Sequence, residues 1–330
     1  MARAKIRSLD CSAPADEMIR RVLRAQVNAL CKHRESAINW RDPEGVHDMR
    51  VLSRRLRSAI NDFRPYLRKG RLPRPKLRAI AASLGTVRDE DVALLALQEL
   101  KSQAKGAAAD GIKLLMNERK ERRKRSRLAL KAAIEDSAIE AFRKDFLAKL
   151  QAITVAVPNR RVAPGIAAVS ISFKELGVRV IKARLKDFVA ASACLFQPYR
   201  IKEHHELRIL AKRLRYSMEL FARCEGKEMA AMAKEVARMQ THLGELHDCD
   251  VWIQELGARL KRLSRKATVE PNDDNLRAAA AWLLEHFATE RMEHYRDALA
   301  LWEQWESENF LEKLISLLDT AAPALPQRVA

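Results

Sequence analysis

Apolar residues recur three and four positions apart through most of this chain, as at Met49, Leu52, Leu56, Ala59 and Phe63, with charged residues filling the intervals. That spacing gathers the apolar set on one side of a helix, so the pattern predicts an all-α protein of long amphipathic helices. Breaks are few: the chain has 10 glycines and 11 prolines in 330 residues. Asp42 and Pro43 read as an N-cap followed by proline at the first helical position, and Pro65 is expected to stop that helix near Phe63. A second clear helix is predicted from about Tyr199 to Cys224, closed by Gly226. The stretch VAVPNRRVAPG, 155–165, has two prolines, a glycine and no helical period, and reads as a linker. The expected organisation is a basic segment 1–13, a half 14–154, the linker 155–165, a half 166–320, and a tail 321–330.

The two halves carry matching blocks. HDMRVLSRRLRSAINDF from His47 aligns without a gap on HELRILAKRLRYSMELF from His205, at a shift of 158 residues. His47 and His205, Arg50 and Arg208, Arg55 and Arg213, Arg57 and Arg215, and Phe63 and Phe221 are identical pairs, while Arg54 faces Lys212. A second block follows each first one, LGTVRDEDV from Leu84 and LGELHDCDV from Leu243. The halves read as copies of one helical unit.

At about 100° per residue, His47, Arg50, Arg54 and Arg57 share one sector of roughly 80°, opposite the apolar stripe. His205, Arg208, Lys212 and Arg215 repeat it in the second copy. Stacked cations repel, by a few tenths of a kcal/mol per pair. A solvated face with snorkelling side chains is the plain reading of one such helix. The same stripe in both halves points instead to a shared anion. Arginine suits phosphate because its planar guanidinium can donate two parallel hydrogen bonds. The histidines either donate to phosphate or help cap and pack the helix.

In the second block, the Leu-Gly pair is expected to let two helices approach closely, and Asp89, Asp91, Asp248 and Asp250 to form structural ion pairs with arginines. His247-Asp248 also matches the HD dyad of metal-dependent phosphohydrolases. The aligned pair is Arg88-Asp89, and arginine cannot ligate a metal, so no metal site is assigned. The run ERKERRKRSR, 118–127, reads as a solvated stretch of long helix that could extend a ligand surface.

Composition narrows the partner. The formal charge of +19, from 62 Lys+Arg against 43 Asp+Glu, calls for an acidic ligand: nucleic acid, anionic membrane or polyphosphate. Sparse, scattered aromatics count against base stacking on a single strand. Cysteines 11, 31, 194, 224 and 249 are odd in number and lack CxxC spacing, which argues against a disulfide framework and a structural zinc site and for a reducing compartment. MARAKIRSLD has no apolar run behind its basic residues and no stretch reaches membrane-spanning length, so a cytoplasmic location is expected.

The blocks VHDMRVLSRRLR with LGTVRDEDV, and HELRILAKRLRY with LGELHDCDV, resemble those of the CHAD domain family, a helical domain named for its histidines, across roughly residues 14 to 320. The resemblance implies two tandem four-helix bundles related by a pseudo-twofold axis, with motif helices lining a basic pore or groove that binds inorganic polyphosphate. It carries phosphate contacts onto His47, Arg50, Arg54, Arg57, His205, Arg208, Lys212 and Arg215, with Arg55 and Arg213 secondary because they lie off the stripe. Nothing resembles the acidic ExExK strands of a CYTH triphosphatase domain, so the chain looks like a stand-alone CHAD protein, similar to those on polyphosphate or polyhydroxyalkanoate granules. The expectation is a non-enzymatic binder without cofactor, with granule proteins as further partners. A helical nucleic-acid-binding protein and a metal-dependent phosphohydrolase are the alternatives.

Overall fold

The computed structural model describes residues 4, 6, 9–42, 44–68, 71–154, 171–265, 268 and 270–320. Pro43, the linker 155–165 and the tail 321–330 lie outside them. Among the described residues the chain is all-α: α1 (Ala15–Lys32), α2 (Arg34–Ile38), α3 (Glu44–Phe63), α4 (Arg74–Lys101), α5 (Gly106–Ala133), α6 (Asp136–Gln151), α7 (Phe173–Ala191), α8 (Ile201–Glu225), α9 (Lys227–Ser264), α10 (Asp273–Ser307) and α11 (Phe310–Thr320). No helix among these residues is long and apolar enough to cross a membrane.

Local chemistry sets the ends of the two motif helices, α3 and α8. Asp42 Oδ1 accepts from the Glu44 N–H at 2.9 Å, satisfying a donor that the first turn leaves free. Pro65, which has no N–H to continue the ladder, sits in a short 3-10 turn, Arg64–Tyr66, directly after Phe63. Gly226 ends α8 at a φ of 92°, a backbone state that costs glycine little.

The aligned phenylalanines meet. Phe63 of α3 and Phe221 of α8 pack edge to face with centroids 6.3 Å apart, and the Phe173 ring of α7 lies tilted against Phe221 at 4.8 Å. Beside them the buried Asp62 accepts from Arg184 Nε of α7 and from Ser217 Oγ of α8, both at 2.9 Å. The main apolar core therefore draws on both halves, and it fixes α3 against α8. A second core joins Leu94 and Leu97 of α4, Ile112 and Leu115 of α5, Leu256 of α9, and Leu283 and Phe287 of α10. There α5 and α10 approach so closely at Gly111 that a Cβ would stand 1.9 Å from the Asn275 carbonyl oxygen.

Three expectations change. Cys11 and Cys224 form a disulfide across 213 residues, with Cα atoms 5.3 Å apart. The segment before α1 folds back on the start of α7, where Lys174 N donates to Cys11 O and Phe173 N to Ala13 O, both at 2.9 Å. This return path, invisible in cysteine spacing, carries Cys11 to the end of α8. The cysteine pattern then no longer argues for a reducing compartment. The glycines of the Leu-Gly pairs, Gly85 and Gly244, do not mediate close approach, since a Cβ at either would meet nothing within 4 Å. Finally, the basic run on α5 is only partly solvated. Arg119 is buried, hydrogen-bonded to Glu90 of α4 and Glu255 of α9, and lies 4.9 Å over the Trp252 ring.

Candidate functional site

Packing of α3 against α8 turns the two cationic stripes toward each other. Arg50 and Arg54 of α3 and Arg208, Lys212 and Arg215 of α8 crowd one region, close enough to act on one another's charge. The Lys212 amine is pushed down to about 7, first by burial and then by Arg208, Arg54, Arg50 and Arg215. Burial lowers Arg54 and Arg208 as well, with Arg50 adding to both. Arg54 Nε and Arg208 Nε are buried and lack a hydrogen-bond partner. Donors left without an acceptor in a concentrated positive field are what an anion would satisfy.

Each histidine meets a residue of the second block. His205 Nδ1 lies 3.1 Å from His247 Nδ1, on α8 and α9. His247 is pushed down to about 4 by burial, then by Arg208 and His205, while burial followed by Arg208 lowers His205. His47 is lowered by burial and then by Arg88, the residue aligned with His247. Sequence reasoning left His247 and Arg88 out of the site. The signal was the aligned position itself, cation-capable in both copies although its residue type differs.

The aspartates divide by position. Asp89 takes a 3.3 Å ion pair from Arg50, and Asp248 lies near Arg208. Burial raises the Asp248 carboxyl, which Arg208 opposes. The second acid of each pair is buried and holds the neighbouring helix. Asp91 is 3.3 Å from Arg123 and 3.7 Å from Arg127 of α5, and Asp250 is 2.6 Å from Arg291 of α10. Gly85 and Gly244 each stand one turn before the acid that faces the cations, on the same side of their helix. Their missing side chains leave open space there.

Some sequence-selected residues face elsewhere. Arg57 adjoins Arg78 of α4, whose charge lowers it after burial. Arg55 donates to Glu219 Oε2 at 2.6 Å and lies over the Tyr216 ring, lining a cavity of about 810 Å³ with Asp62 and Gln26. Arg215 also engages this clamp, 3.7 Å from Glu219 Oε1 and 4.8 Å over Tyr216. Arg213 is exposed and acts on Asp62. Side chains able to share a metal ion converge, among the described residues, at Glu44, His47 and Asp48 and at Cys249, Glu290 and His294.

Fold and site together describe a helical protein with a cationic cluster between two packed motif helices. The sequence pattern of the CHAD domain matches residues 21–257, more than half of the chain, and the protein belongs to this family. Its structure is similar to the crystal structure of the CHAD domain from the plant Ricinus communis, with a TM-score of 0.69 and 21% identity over 91% of this chain and 96% of that one. It is also similar to PptA from Streptomyces chartreusis, with a TM-score of 0.61 and 17% identity over 88% of this chain and all of that one. At these identities the likeness speaks for the fold. A comparison with curated protein sequences finds none that matches.

Proposed function

We propose that the protein binds inorganic polyphosphate along the cluster of α3 and α8, without cleaving it. The observation that carries this reading is Lys212, held among Arg50, Arg54, Arg208 and Arg215, with Asp89 beside Arg50, Asp248 beside Arg208 and Glu219 beside Arg215. A chain with about one negative charge per repeating unit would neutralise such a row, releasing its counterions. Affinity then falls steeply with salt, as for other linear polyanions. Guanidinium groups on two facing helices can each grip adjacent phosphate oxygens. The resemblance of the motif blocks to the CHAD family implies the same ligand. Recruitment to polyphosphate or polyhydroxyalkanoate granules is the finer form of the proposal.

Convergence of the stripes between two helices favours a thin flexible chain over a duplex, which needs an exposed convex surface. Arg50 and Arg208 beside the first acids disfavour a phosphohydrolase centre there, because the carboxylates already face fixed cations. The test is titration with long-chain polyphosphate at several salt concentrations, with single- and double-stranded DNA as competitors and free phosphate monitored in Mg²⁺. The proposal expects polyphosphate to resist DNA and remain intact. Equal competition by DNA would replace it with the nucleic-acid reading, and phosphate release with the hydrolase reading.

A further inference from the structure

On another side of α9 from His247 lies a second constellation. Helices α9 and α10 pack closely, and a regular series of residues meets across them. His242 Nδ1 is 3.7 Å from Asp297, and one turn along, His294 Nδ1 is 3.3 Å from Glu245. At the next turn Cys249, Glu290 and His294 bring a thiol sulfur, a carboxylate oxygen and an imidazole nitrogen within 4.8 Å of one another. The pairs Glu245 with Cys249 and Glu290 with His294 are each four residues apart, so each presents two groups from one helix face.

We propose that Cys249, Glu290 and His294, with Glu245 beside them, form a binding site for a divalent metal ion of the zinc class. Three observations carry it. First, among the described residues no lysine or arginine is ion-paired with Glu245 or Glu290, although the charge of Arg291 reaches Cys249. The position aligned with Cys249 in the first half is Glu90, which faces the guanidinium of Arg119. The second half offers a thiol, two carboxylates and an imidazole, while Arg291 is engaged by Asp250 and the Pro198 carbonyl. Second, His294 Nδ1 is buried without a hydrogen-bond partner, although it lies beside a carboxylate. Third, Cys249 is 4% exposed, whereas the Glu290 side chain is 39% exposed, giving a buried soft ligand and a path from solvent.

The donor set selects the metal. Thiolate and imidazole suit zinc or cobalt, whereas magnesium and calcium favour oxygen ligands throughout. Ligand atoms around tetrahedral zinc stand about 3.5 Å apart, so closure needs side-chain rotations on the order of an ångström. Glu290 would leave His286 Nε2, now 3.2 Å away. Binding exchanges the thiol proton for the metal: the S–H bond breaks, a sulfur–metal bond forms, and one proton passes to solvent. No electrons are transferred. Because the thiol must give up its proton to bind, uptake strengthens as pH rises. The bound ion would clamp α9 to α10 beside His247 and Asp248.

The experiment is titration of the full chain, free of polyphosphate and without reductant, with Co²⁺ followed by displacement with Zn²⁺. One equivalent is expected to give tetrahedral ligand-field bands and a thiolate-to-cobalt charge-transfer band, both abolished by Zn²⁺. Cys249→Ser is expected to remove the charge-transfer band, and Glu290→Gln with His294→Gln to weaken binding at least as much as the roughly 10–100-fold typical of losing an outer ligand partner. Cys31→Ser and Asp48→Asn should leave both unchanged. Wild-type protein with no charge-transfer band, or a band that survives Cys249→Ser, would overturn the proposal. Should Cys249→Ser not fold, the partly exposed pair Glu290→Gln with His294→Gln decides alone, and unchanged cobalt affinity in it is equally fatal.

Discussion

His205 and His247 approach Nδ1 to Nδ1 at 3.1 Å, joining the first motif block on α8 to the second on α9. At that distance they cannot both be charged without repulsion, and Arg208 and Lys212 sharpen the conflict. Burial and these charges thus favour the neutral forms of His247 and Lys212, and a bound anion is expected to restore their protons.

This predicts proton uptake on binding. Lys212 titrates near 7 in the free protein, and anionic ligand would raise it toward its ordinary value. Its contribution to affinity is therefore full below about 7 and declines as pH rises above it. His247, free at about 4, adds affinity as pH falls toward that value. Calorimetry in buffers of different ionisation enthalpy should record proton uptake at pH 8, and Lys212→Arg should flatten the pH dependence above 7. Affinity that rises with pH would contradict this.

Gly85 and Gly244 separate binding from stability. Gly244→Leu puts a side chain into open space near Asp248, and a helix interior favours leucine over glycine by somewhat under 1 kcal/mol. The variant should melt no lower than wild type while binding polyphosphate at least tenfold more weakly. Unchanged affinity would mean that the ligand passes elsewhere.

The Arg55–Glu219 pair should behave as structure. Its side chains are 13% and 14% exposed. Glu219→Ala leaves a largely buried guanidinium without its counter-charge, and a loss of about 3 kcal/mol in urea unfolding is expected. Arg55→Met with Glu219→Met together should recover most of it. Polyphosphate affinity of the double variant should stay within about twofold, whereas a large loss would return Arg55 to the ligand surface.

Reduction of Cys11–Cys224 should lower stability by up to about 5 kcal/mol, because it frees a loop of more than two hundred residues in the unfolded chain. Urea midpoints with and without reductant measure this. Cys11→Ser should match the reduced wild type and then show no response to reductant.

Much of the fold was legible because local signals agreed: Asp42, Pro65 and Gly226 bound α3 and α8 where capping and breaking chemistry put them. Wheel geometry also placed Arg55 and Arg213 off the stripe. It could not foresee that Arg57, at the far end of α3, meets Arg78 of α4, since that depends on how another helix crosses. His247 and Arg88 were weighed only as a metal dyad and left out of the anion site for a related reason: alignment compared residue types, while the fold matches positions. The ion pairs of Arg119, Arg123 and Arg127 were hidden because charge density along a sequence does not reveal which turns of a helix face acidic neighbours.

The most direct measurement is polyphosphate affinity of a variant with Arg50, Arg54, Arg208 and Lys212 all changed to glutamate, beside the wild type, at fixed salt and with helical content checked by circular dichroism. A folded variant with affinity reduced by at least a thousandfold is expected, because four cations become anions in one site. A folded variant that still binds with near wild-type affinity would contradict it and move the ligand to the general basic surface.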